Sequence, residues 1–151
     1  MDIGVQWSSA VQVRRVRGVI HSLDLNDLPD QPGVYVFGRR WGKGFEALYV
    51  GKAMNIRSRV KGQLNNLRLM SHIRGAKSGS RILMAGIVVT KPGQKVDKCL
   101  TLVEKTLIRY FLSEGHDLVN VQGTQLKRHQ VASIKIPIWF VPRSMYLDTD
   151  R

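Results

Sequence analysis

The chain has 151 residues, 24 of them Lys or Arg against 11 Asp or Glu, for a formal net charge of +13 and an isoelectric point near 10.5. One domain is the default at this length, and 43% hydrophobic with 23% charged residues exclude a disordered chain. No apolar run approaches the ~18 residues of a membrane span, and Asp2 opposes a cationic signal-peptide start. Cys99, without a second cysteine to pair with, fits a reducing and therefore cytoplasmic setting. The charge excess points to a polyanionic partner, nucleic acid ahead of an anionic membrane, because no segment pairs a basic face with bulky membrane anchors.

In chain order, residues 1–10 read as polar and loosely ordered. Val11, Val13, Val16 and Val19 interleave with Arg14, Arg15 and Arg17 as a strand with one wet face. Residues 23–32 form a connector with two proline stops. Gly33–Phe37 and Phe45–Gly51 form a hairpin across a glycine-punctuated turn at 38–44. The period then changes from two to about 3.6. Ile56, Val60, Leu64 and Leu67 make the stripe of a helix over about 53–69, with Asn55 a candidate cap. Residues 71–80 read as a mobile loop and 82–89 as an apolar strand stopped by Pro92-Gly93. A second helix spans about 96–113, its stripe set by Leu100, Val103, Leu107 and Phe111, with Gly115 just past its end. Residues 118–121 are a short extended piece and 125–129 a basic stretch. Ile134, Ile136, Ile138 and Phe140 alternate as an edge strand broken by Pro137, with Trp139 a packing residue.

Strand parity sets Tyr35 opposite Val34 and Val36, and Tyr49 opposite Leu48 and Val50. In a hairpin both phenols then share one face, with the valines and the leucine on the other. Two β-favouring aromatics in a sheet explain this equally well. Gly51-Lys52 ahead of a helix start suggests an anion site of free N–H groups and an ammonium. Arg59 falls on the polar strip of the first helix with Lys52, Asn55, Gln63 and Asn66, the place of a solvated face. Glu104, between Leu100 at i−4 and Ile108 at i+4, borders a buried stripe in a chain short of acids. It requires either a buried arginine or a metal as its partner.

Pro32-Gly-Val-Tyr35 followed by Tyr49-Val-Gly-Lys-Ala-Met-Asn-Ile-Arg-Ser-Arg59 resembles the GIY-YIG nuclease superfamily, and within it the repair-type members. GVY stands in the GIY place and YVG in the YIG place. The resemblance covers about residues 29–121, leaving 1–28 and 122–151 as extensions of a single domain. It implies catalytic roles for Tyr35, Tyr49, Lys52, Arg59, Glu104 and Asn120, with Glu104 as the ligand of Mg²⁺ or Mn²⁺. It also implies an α+β fold, a central three-stranded antiparallel sheet flanked by helices, to which the termini add strands. The turn between the tyrosines and the interval from Glu104 to Asn120 are both longer than in repair-type members.

One hard carboxylate suits Mg²⁺, which keeps several waters, and a cation opposite a scissile phosphate stabilises its developing charge. Tyr35 is the preferred general base, with Lys52 the cation that would favour its phenolate. Arg39, Arg40, Lys43, Arg57, His72, Arg74, Lys77, Lys127 and Arg128 are the candidate nucleic-acid contacts, the 38–44 turn foremost. His21, His72, His116 and His129 are too scattered for a zinc site. The sequence thus points to a metal-dependent endonuclease acting on DNA. The alternatives are a basic module that binds nucleic acid without cutting it and a nuclease effector or toxin acting on DNA or RNA.

Overall fold

The computed structural model describes residues 2–122, 126–134, 140 and 142–150. Its main sheet is antiparallel, in the order β1 (Gly4–Trp7), β7 (Ser80–Val89), β5 (Gly33–Trp41), β6 (Gly44–Ala53). A short β2 (Val11–Gln12) joins β7 beyond β1. The three central strands are those expected, and the N-terminal strands widen the sheet. One face carries α1 (Ile56–Gln63) and α2 (Leu67–Gly75), the other α3 (Val96–Ser113). Two ribbons stand apart from the sheet: β3 (Arg14–Arg17) with β4 (Ile20–Ser22), and β8 (Leu126–Ala132) with β9 (Ser144–Asp150). The result is an α+β arrangement in which, among the described residues, no helix is long and apolar enough to cross a membrane.

Several expectations are corrected. Residues 4–7 are not loose; they pair with Gly86–Val89 of β7. The 11–19 stretch breaks at Val13 and folds back as the β3–β4 ribbon. The expected single helix over 53–69 is two, because Asn66 starts a new one by accepting from the Leu69 N–H, as Asn55 starts α1 by accepting from Ser58. The second cap resets the helical phase. Leu67 is left 69% exposed while Leu69, Met70 and Ile73 enter the core. The supposed mobile loop is therefore partly helix, with β7 beginning at Ser80. The 118–121 piece is a 3-10 turn over Val119–Gln122, and the basic 125–129 stretch falls largely in β8. The expected strand over 134–140, with Pro137 and Trp139, lies mostly outside the described residues.

The hairpin runs further than expected. β5 continues to Trp41 and β6 starts at Gly44, so the turn is Gly42-Lys43 alone, with Gly42 at φ +50°. Pairing slips between Phe37–Tyr49 and Gly38–Ala47, leaving Leu48 as the extra residue of a bulge. Leu48 consequently packs with Tyr35 and Phe37, not with Val36 and Val50 as strand alternation requires. The phenols do share a face.

Both motif glycines are packing glycines. A Cβ on Gly33 would run into the Gly86 carbonyl of β7 and into Ile56, and one on Gly51 would meet the Tyr35 ring. Gly62, inside α1, has open space around it. Gly33→Ala is therefore expected to destabilise the fold by about 3 kcal/mol, because backbone has to give way. Gly62→Ala should stabilise it by about 0.5–1 kcal/mol through helix propensity and unfolded-state entropy. Urea unfolding of the two variants checks this pair, which must differ in sign.

Candidate active site

Tyr35 and Tyr49 stand at neighbouring places on the α1 face, their ring centroids 6.1 Å apart, with Phe37 edge-on to Tyr35. Their surroundings differ. Tyr35 is 0% exposed, its hydroxyl accepting from Gln63 Nε2 at 2.9 Å, and burial followed by the neighbouring Tyr49 pushes its phenol far above the ordinary value. The nearby Gln63 and Arg59 donors oppose that shift without reversing it. Tyr49 is half-buried and faces an open cleft, its hydroxyl accepting from the same Gln63 amide at 3.2 Å. Gln63 is held in turn by Asn66, whose Nδ2 donates to Gln63 Oε1 at 3.0 Å. The helical spacing puts Gln63 on the polar strip expected to be solvated; at 7% exposure it is instead the buried link between both phenols. The signal available was its position, one turn past Arg59 on the face that meets the sheet.

Lys52 corrects another expectation. It lies opposite Val34, on the α3 side of the sheet, and its Nζ donates to Thr101 Oγ1 at 2.7 Å. Its field acts on Glu104, not on Tyr35. Nor does Gly51-Lys52 form a helix N-terminal anion site, since both residues belong to β6 and α1 begins at Ile56.

Glu104 is half-buried on α3, and burial lifts its carboxyl above the usual range while Lys52, Arg59 and Lys105 pull it back. Among the described residues nothing donates a hydrogen bond to it and no cation lies within ion-pair distance. No described arginine therefore serves as its buried partner. The carboxylate opens into a cleft of about 380 Å³ with Tyr49, Asn66, Arg68 and Asn120. A second hollow of about 510 Å³ continues past Tyr49 and Asn66 to Ser58 and exposed Arg59. Tyr49 and Asn66 thus line both hollows, with Glu104 in the first and Arg59 in the second. No three His, Cys, Asp or Glu side chains come together among the described residues, so a cation here would rest on one carboxylate. That donor set fits a hard, largely hydrated ion such as Mg²⁺ and no thiophilic one.

Asn120 belongs to the same cleft but is committed to the backbone. Its Oδ1 accepts from the Val50 N–H and its Nδ2 donates to the Val50 carbonyl, both at 2.8 Å. Nearby, His116 Nδ1 accepts from the Ala47 N–H at 2.8 Å. β6 ends the sheet, and these two side chains satisfy edge groups that a further strand would otherwise satisfy. Asn120 fixes the strand that carries Tyr49.

The candidate nucleic-acid contacts divide. Arg39 is withdrawn from solvent at 7% exposure: its Nε donates to Glu46 at 2.8 Å, its Nη1 to the Ser78 carbonyl at 2.7 Å, and it stacks over Trp41. Arg57 is bound through Nε and Nη2 to the Leu28 carbonyl, anchoring the connector. His72 bonds the Asp117 carbonyl at 2.7 Å. Arg40, Lys43, Arg74 and Lys77 are exposed. The side chains of Lys127 and Arg128 lie outside the described residues. Arg81, which the sequence did not single out, donates to the carbonyls of Ile73, Ala76, Lys77 and Gly79 and closes the C-terminal end of α2.

The state of Glu104 predicts a trade of stability for charge. An acid whose folded-state pKa is raised binds more protons folded than unfolded, so stability falls as pH rises through the interval above 4.5. Glu104→Gln is expected to melt at or above the wild-type temperature at pH 7, with the difference closing at pH 4. A variant that is less stable at pH 7, with a gap that closes on acidification, would place Glu104 in a stabilising ion pair instead.

Parts of the chain are similar in sequence to known proteins. UvrABC system protein C of Thermus thermophilus is 55% identical over 38 residues, 25% of this chain and 6% of that protein. Excinuclease cho of Shigella flexneri is 42% identical over 67 residues, 44% of this chain and 22% of that protein. Excinuclease cho of Escherichia coli K12 is 42% identical over 62 residues, 41% of this chain and 20% of that protein. The chain thus spans about a fifth or less of the curated relatives it matches. No family model matches it, and no solved structure matches it significantly. The homologues of this chain are UvrABC system protein C and excinuclease cho, both GIY-YIG nuclease proteins, as the motif strings of the sequence imply.

Proposed function

We propose that this chain is a metal-dependent endonuclease that hydrolyses phosphodiester bonds in DNA. The observation that carries the reading is Glu104: a half-buried carboxylate without a donor among the described residues, opening into a cleft that Tyr49 shares with the hollow lined by Arg59. The names of the relatives, excinucleases and a component of the UvrABC system, support a nuclease acting on DNA. The net charge of +13 supports a polyanionic substrate.

In this reading Glu104 holds Mg²⁺ or Mn²⁺, which when bound supplies positive charge to the scissile phosphate. Arg59 faces the phosphate from the α1 side and offsets charge that develops on its oxygens. Tyr49, deprotonated, takes the proton from the attacking water as the new P–O bond forms and the bond to the leaving sugar oxygen breaks, and that oxygen takes a proton from solvent to leave as a hydroxyl. Gln63, donating to the Tyr49 oxygen, supports negative charge there and fixes its direction. Tyr35 holds the floor of the site; its burial opposes the phenolate a base requires. Lys52 favours the ionised form of Glu104 against the effect of burial, and Asn120 keeps Tyr49 in register.

Labelled duplex, single-stranded and branched DNA and RNA, incubated with the protein and Mg²⁺ or Mn²⁺, test the reading. DNA is expected to be cut, and Glu104→Gln, which keeps shape but loses charge, should abolish cutting while leaving binding within a few-fold. Binding of every DNA form without cutting by the wild type would return the chain to the non-catalytic alternative. Cutting confined to RNA would favour the effector reading. Replacing Arg40 and Lys43 by Ala should flatten the salt dependence of binding by up to about 2, since Arg39 is already engaged.

A further inference from the structure

We infer that the β3–β4 ribbon is a second nucleic-acid contact, separate from the cleavage groove, that takes the phosphates of a DNA duplex. The inference rests on the nucleic-acid part of the proposed function and assigns a use to a segment outside the 29–121 stretch. Within residues 11–22 there are three arginines, Arg14, Arg15 and Arg17, and no acid. All four residues of β3 are exposed. Arg14 and Arg17 have no hydrogen-bond or ionic partner among the described residues, and Arg15 engages only its Nε, with the Gly18 carbonyl at 2.9 Å. The contrast with Arg39, Arg57 and Arg81 decides the matter. Those guanidiniums are bound to carbonyls, a carboxylate or an indole and hold the fold together, whereas among the described residues Arg14 and Arg17 make no such bond and Arg15 makes one, within its own turn.

The shape narrows the partner. The two strands pair as Arg14–Ser22, Arg15–His21 and Arg17–Ile20 around Gly18, whose φ of +59° makes the tight turn. A two-stranded ribbon fits the major groove of B-form DNA, about 12 Å wide, but not the deep, narrow major groove of an A-form RNA helix. Val16 at 63% exposure and Ile20 put apolar surface near the tip, where sugar edges and thymine methyls lie. Between Val11 and Ser22 there is no Phe, Tyr or Trp to stack on unpaired bases, which argues against a single strand. The ribbon is also anchored. Buried His21 bonds the Val19 carbonyl, and Val11, Val13 and Val19 pack into the same cluster as Tyr35, Leu69, Met70 and Ile73. It therefore rises from the face of the sheet that carries the tyrosines and α2.

Two triple variants test this, Arg14, Arg15 and Arg17 all replaced by Gln or all by Lys, in equilibrium binding to a duplex over a range of salt with divalent ions chelated. If each arginine holds one phosphate, the Gln variant loses up to about 3 from the slope of log K against log salt, while the Lys variant keeps it. A wild-type slope in the Gln variant overturns the inference and leaves the nuclease reading intact. Equal loss in the Lys variant also overturns it, since charge would then not be the cause. A flattened slope together with a wild type that never cuts DNA keeps the ribbon and removes the nuclease. An equal effect on an RNA duplex overturns the groove assignment. Because Cys99 is buried, a fluorophore attached at Val16→Cys gives an independent readout: duplex DNA should change its anisotropy more than an equal length of single strand.

Discussion

The Tyr35 ring occupies the space that a side chain on residue 51 would need, and the arrangement of the groove follows from that contact. Only glycine at 51 lets the ring lie between β5, β6 and α1, where Phe37, Leu48, Ile56 and Val60 complete its enclosure. Once enclosed, the hydroxyl needs a donor, and Gln63 supplies it from the last turn of α1. The same amide reaches Tyr49, so one buried side chain sets the relation between two strands and a helix. Arg59, one turn earlier on α1, is thereby delivered to the groove. Tyr35 is the framework on which Tyr49 and Arg59 are aligned, its hydroxyl held by Gln63.

The second constraint is electrostatic. With 24 cationic side chains the fold must hide some and display others. Arg39, Arg57 and Arg81 are spent on carbonyl oxygens and on Glu46, where they close turns and helix ends. Burial makes such charges costly unless their N–H groups find acceptors, and Arg81 engages four of its five N–H groups with backbone carbonyls. Glu104 is the reverse case, a carboxylate kept partly from water with positive charges near but, among the described residues, none in contact. Such a group costs stability, and a fold tolerates it where the charge is used.

Much of this was legible from residues alone. The α3 boundaries at Val96 and Ser113 follow from its apolar stripe and from Gly115, and the shared face of the phenols follows from strand parity. The helix over 53–69 was misread because a continuous apolar stripe hides a cap, and Asn66 breaks it with one side-chain hydrogen bond. The bulge at Leu48 was invisible for a related reason: an extra residue leaves the alternation of neighbouring positions intact until pairing is known. Charge could not be apportioned from sequence either, since exposed Arg40 and buried Arg39 are adjacent and chemically identical. Only their carbonyl, carboxylate and indole neighbours, brought from Ser78, Glu46 and Trp41, tell them apart.

The central claim is the division of labour between the tyrosines, and single-turnover cleavage of a DNA substrate from pH 6 to 10 by Tyr35→Phe and Tyr49→Phe tests it most directly. The account predicts that Tyr49→Phe loses about 10²–10⁴ in rate with its melting temperature little changed. Tyr35→Phe should lose stability, having left a Gln63 donor without its acceptor, yet cut within about tenfold of wild type while folded. A Tyr35→Phe protein that is folded but inactive, beside an active Tyr49→Phe, would contradict it.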